Sequence, residues 1–156
     1  GNVLRAMGEA PLARPSAATV PTVRVLYLGS FGSASCVTVQ PWQAGVRVTK
    51  TSVVVEDETA DVQVIQGPEI RRFELPRAIW TSLQHKLRHA DLWTPRDSTE
   101  DELLTFDGWN LSLEYYDGAQ WRQADRHCPE KDGPFAEFLH VCTEINSLEP
   151  RKQGSQ

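Results

Sequence analysis

Strand-like and helix-like segments run in groups along this chain, not in alternation, and that order excludes a doubly wound parallel sheet. Thr22–Leu28 reads TVRVLYL. Its β-branched and aromatic residues predict a strand. Gly29, Ser30, Phe31, Gly32 and Ser33 supply a turn. Ala34–Gln40 predicts a second strand, with Cys36, Thr38 and Gln40 on one face and Val37 and Val39 on the other. Pro41 is expected to end it. Val46–Glu56 predicts a third strand, and Val62, Val64 and Ile65 a fourth that stops at Gly67-Pro68. The acidic segment Glu56, Asp57, Glu58, Asp61 falls between the last two.

A helix follows. Ile79, Leu83, Leu87 and Ala90 recur at helical spacing over about four turns. Pro76 suits its first turn and Glu74 complements its positive end. Leu92-Trp93 is expected to fold back as an apolar plug before Pro95. Residues 97–107 carry Asp97, Glu100, Asp101, Glu102 and Asp107 and no cation, which reads as a solvated loop. Then comes Asp117-Gly118 between two alternating segments, the sequence form of a hairpin with a type I′ turn. Gly133-Pro134 opens a second helix with an apolar stripe of Phe135, Phe138, Leu139, Cys142 and Ile145. The expected order is ββββ-α-ββ-α: an α+β fold, an antiparallel sheet of about six strands with both helices on one face.

The chain has 156 residues, enough for one domain. We expect residues 22–149 to form it. Residues 1–21, with Pro11, Pro15 and Pro21, read as a tether, and residues 150–156 as a polar tail. The opening Gly1 suggests that an upstream segment was removed, which would suit a lipid-anchored periplasmic protein tethered through its N-terminus. The longest uncharged apolar run here, Val25–Leu28, is far too short to span a bilayer. The net charge of −5 argues against a nucleic-acid binder.

Three cysteines, Cys36, Cys128 and Cys142, follow no zinc spacing. The sequence allows one disulfide, with Cys128–Cys142 the pairing to test first, or three reduced and buried thiols. His127-Cys128 with Asp125 invites a nucleophile reading, but neighbours on a strand point to opposite faces. His85 and His89 share a helix face, yet Lys86 and Arg88 beside them would repel a metal. No cofactor, metal or catalytic set is indicated.

The C-terminal half resembles a family of uncharacterised bacterial proteins. Asp107-Gly108, Leu113-Glu114, the run Asp125-Arg126-His127-Cys128-Pro129-Glu130, and Gly133-Pro134-Phe135 carry the likeness, which covers about residues 74–148. Leu111 stands where that family tends to have Trp, and His127-Cys128 replaces Trp-Ser. The resemblance implies an α+β core and a bacterial origin, with no assigned activity. Read physically, Glu114, Asp125, Arg126, Pro129, Gly133 and Pro134 form a structural corner. Arg126 would pair with Asp125, Glu130 or Glu114 and hold the strand-to-helix turn.

These readings converge on a non-enzymatic bacterial envelope protein that binds another protein, its sharpest version an immunity protein occluding a toxin with a basic cleft. The expected contact residues are Glu56, Asp57, Glu58, Asp61, Asp97, Glu100, Asp101 and Glu102. The alternatives are a periplasmic lipoprotein binding a small ligand, a Cys/His enzyme, and, for location, the cytoplasm.

Overall fold

The computed structural model describes residues 4–5, 7–9, 20–29, 32–58, 61–93, 109–127, 132–133 and 135–152, apart from the side chains of residues 57, 58, 61 and 62. Six strands form one antiparallel sheet: β1 (Thr22–Leu28), β2 (Ser33–Trp42), β3 (Gly45–Glu58), β4 (Asp61–Pro76), β5 (Asn110–Tyr116) and β6 (Trp121–His127). Their spatial order is β4-β3-β2-β1-β5-β6. Helix α1 (Ala78–Leu87) and helix α2 (Ala136–Asn146) complete the expected α+β architecture.

Alternation explains where the core lies. Val23, Val25, Val37, Val39, Val46, Val48, Leu111, Leu113 and Tyr115 all point to one face. There they meet Trp80, Leu83 and Leu87 of α1 and Phe138, Val141, Cys142 and Ile145 of α2 in a single cluster. The plug forms as expected. Leu92 is buried in a 3₁₀ turn, Ala90–Trp93, and the Trp93 indole donates to Leu87 O at 2.9 Å while stacking on Tyr115.

Several boundaries differ from expectation. β4 does not stop at Gly67-Pro68. It runs on through a cis peptide to Pro76, and it bulges, carrying two extra residues between Val64 and Glu69 opposite Ser52–Val55 of β3. Gly67 has φ +94°, and a Cβ there would stand 2.8 Å from Ser52 O, so glycine suits the crossing. Pro76 therefore ends a strand, opposite Gly45, and Arg77 takes the N-cap position of α1 without a side-chain capping bond. Glu74 is a strand residue, not a helix-dipole partner. Pro41 lies within β2, which continues to Trp42.

The Asp117-Gly118 hairpin closes by a four-residue loop, because Tyr116 pairs with Trp121. Asp117 Oδ1 accepts from the N–H groups of Ala119 and Gln120 at 2.8 and 2.7 Å. That side-chain turn replaces the type I′ geometry.

The opposite sheet face has its own apolar cluster, Ala34, Cys36, Val53 and Val55, and Met7 packs into it at 3% exposure. The segment expected to be a tether thus lies, at residues 7–9, against the sheet. No helix among the described residues is long and apolar enough to cross a membrane.

Candidate functional site

β3 and β4 outrun the rest of the sheet. The β2–β3 register ends at Ser33↔Val54. The β3–β4 register continues through Val55↔Val64, Glu56↔Gln63, Asp57↔Val62 and Glu58↔Asp61. These four rows project about 13 Å at ordinary strand rise. The result is a two-stranded arm whose far end brings together Glu56, Asp57, Glu58 and Asp61, half of the acidic residues singled out from sequence. Glu56 is exposed. Asp97, Glu100, Asp101 and Glu102 lie outside the described residues.

The arm also exposes apolar surface in what the sequence reading gave as the fourth strand. Val64 is 42% and Ile65 62% exposed. Two adjacent apolar residues on a strand cannot both face a one-sided core, and that adjacency was the available signal. No Lys or Arg occurs between Lys50 and Arg71, so no cation of the arm offsets the acidic residues at its far end.

At its base the arm is fixed by close packing. Gly32 sits at φ +79° with its α-carbon against the Val55 carbonyl, where a side chain would collide. Met7 fills the hollow beside Val53 and Val55.

A second polar feature lies on the same face as Met7. Arg24 on β1, 3% exposed, donates from Nη1 to Glu114 Oε2 at 3.3 Å and from Nη2 to Glu9 Oε2 at 3.2 Å. Burial raises the Glu114 carboxyl above its ordinary pKa. The Arg24 charge opposes this and the Asp125 carboxylate adds to it. A shallow groove of about 240 Å³ beside Leu4 is lined by Ser112, Glu114, Gln123 and Asp125. Its polar groups answer one another: Gln123 donates to Asp125 at 2.9 Å, and Asn110 meets His127 Nδ1 at 2.8 Å.

The structural corner is rearranged relative to expectation. Glu114 pairs with Arg24, because alternation puts it on the face opposite Arg126. Arg126 Nη1 donates to the Asp125 backbone carbonyl at 2.8 Å. Its guanidinium lies 4.4 Å from the Phe135 ring centre and 5.3 Å from that of Phe138, so it does join β6 to α2. The Gly133 carbonyl accepts from Ala136 N at 3.1 Å. Pro129, Glu130 and Pro134 lie outside the described residues.

Cys142 is a free, fully buried thiol; Cys128, the partner expected for it, lies outside the described residues. Burial pushes the Cys142 and Cys36 thiols up to about 12, well away from nucleophilic thiolate at neutral pH. His85 and His89 stand edge to face, ring centres 6.0 Å apart. Among the described residues no three His, Cys, Asp or Glu groups stand close enough to hold a metal.

On the helix side, Lys50 Nζ and Arg71 Nη2 both donate to the Glu149 carboxylate, at 2.8 and 2.9 Å. They border a groove of about 460 Å³ that also contains Tyr27, Ser35, Ser52 and Glu69. Trp80 is buried, whereas Trp42 is 38% exposed beneath the Arg47 guanidinium. In comparisons with known proteins, no protein-family model, no curated protein and no solved structure matches this chain.

Proposed function

We propose that this chain is a non-enzymatic bacterial interaction protein that binds another protein through the β3–β4 arm, in the manner of an immunity protein occluding a toxin with a basic cleft. The observation that carries this reading is the arm itself. An acidic hairpin that outruns its sheet and exposes Val64 and Ile65 combines electrostatic attraction with apolar anchors. Isolated ribbons gain little from self-packing, so the arm is a costly feature unless something docks on it. A cell-envelope location belongs to the same proposal.

The test is affinity capture from the source bacterium with wild type and with two arm variants, Ile65→Asp and the quadruple reversal of Glu56, Asp57, Glu58 and Asp61 to Lys. A partner held by wild type, released by salt and lost by both variants supports the reading. Equal retention by all three proteins removes it.

A second reading, a small-ligand carrier, draws on the groove beside Tyr27 and the Lys50–Arg71 pair. Tryptophan and tyrosine quenching by a panel of carboxylate ligands, unaffected by arm substitutions, would favour it.

A further inference from the structure

We propose that two copies of this chain pair through the β4 edge, in antiparallel register about Phe73, to form one continuous sheet of twelve strands. β4 is the outer strand of the sheet. From Gln63 to Glu74 every residue but Phe73 is exposed, and Ile70 is 44% exposed. A long edge of this kind leaves a row of backbone donors and acceptors ready for another strand. The opposite edge, β6, has only seven residues.

Charge selects both the partner and the register. Along the regular stretch from Ile70 to Pro76, Ile70, Arg72, Glu74 and Pro76 face away from the helices, and Arg71, Phe73 and Leu75 face towards them. A two-fold axis normal to the sheet pairs only residues on the same face. Centred on Arg71, Arg72 or Glu74, it sets that residue against its own copy, like charge to like charge. Centred on Ile70, it carries the pairing into Gly67-Pro68, where the strand is irregular.

Centred on Phe73, it makes two symmetric Arg72–Glu74 pairs. It also sets Ile70 against Pro76 and Phe73 against its own copy. Among the described residues neither Arg72 nor Glu74 has an ion-pair partner within its own chain. Arg72 would repel a basic foreign strand, and a second copy in this register neutralises it, while Arg71, already held by Glu149, meets Leu75.

Sedimentation velocity between about 10 and 200 µM tests this, a range that spans ordinary weak homodimers. Wild type is expected to dimerise. Arg72→Glu sets two like-charged pairs face to face and should weaken the dimer about tenfold. The swap R72E/E74R restores opposite charges and should restore the dimer. Both side chains are exposed, so circular dichroism should remain native in each variant. A wild type that stays monomeric across the range, or a swap that fails to recover what Arg72→Glu loses, would overturn the proposal.

Discussion

Arg24 and Glu114 face each other across β1 and β5, and their side chains are only 4% and 9% exposed where Nη1 meets Oε2 at 3.3 Å. Glu9, from the segment that crosses the sheet, adds a second carboxylate to the same guanidinium at 3.2 Å. A charge so far from water depends on its partners. Glu114→Ala should therefore destabilise the domain by about 3 kcal/mol in urea unfolding at pH 7, the ordinary cost of removing one partner from a buried pair.

The same carboxyl sets a pH dependence. Its pKa is raised in the fold, chiefly by burial. The folded protein therefore holds this proton at pH values where the unfolded chain has released it. Stability from Glu114 is greatest below the unfolded value near 4.5 and falls as pH rises through the raised one. The difference between wild-type and Glu114→Gln unfolding free energies, followed from pH 3.5 upward, should decline and then level. A rising difference would contradict this assignment.

Asp117 behaves in the opposite sense. The N–H groups of Gln120 and Ala119 hold its carboxyl below the ordinary value. The turn is then supported above pH 3.8 and loses that support as pH falls through the lowered pKa. Asp117→Asn keeps an acceptor oxygen and should cost less than Asp117→Ala, which we expect to lose about 1 kcal/mol at pH 7.

Met7 shields Cys36. Both described thiols are buried, so neither should react with iodoacetamide in the native state at pH 7.5. Met7→Asp should raise the labelling rate of Cys36 and leave Cys142, on the helix side, unchanged. Peptide mapping separates the two from Cys128. Equal rates with and without the substitution would show that Met7 does not cover the thiol.

The Arg126 guanidinium lies over the rings of Phe135 and Phe138. A lysine cannot stack as a plane. Arg126→Lys should cost about 1 kcal/mol and lower amide protection in the first turn of α2, with β5 and β6 unaffected.

Much of this architecture was written in the periodicity. Val23, Val25, Val37 and Val39 announce strands, and Phe138, Cys142 and Ile145 announce a helix. Their one-face clustering follows from alternation alone. What periodicity did not carry was the course of β4, since Gly67-Pro68 looks like a stop until β4 is seen to bulge there and stay paired with β3. The packing of Met7 was equally hidden, because Leu4 and Met7 share one cluster but the Ala- and Pro-rich stretch around them sustains no period. For the candidate site, the acidic cluster at Glu56–Asp61 was legible as charge. Its projection beyond the sheet depends on β2 ending two residues short of Glu56 on the β3 register, which is a property of the pairing and not of the letters. The pairing of Glu114 with Arg24 also needed the fold, because they lie far apart in sequence.

The claim that function resides in the arm is tested most directly by hydrogen–deuterium exchange with a captured partner present and absent. The account predicts that new amide protection concentrates between residues 55 and 66. Protection confined to α1, α2 or β6, with the arm exchanging as freely as before, would contradict it.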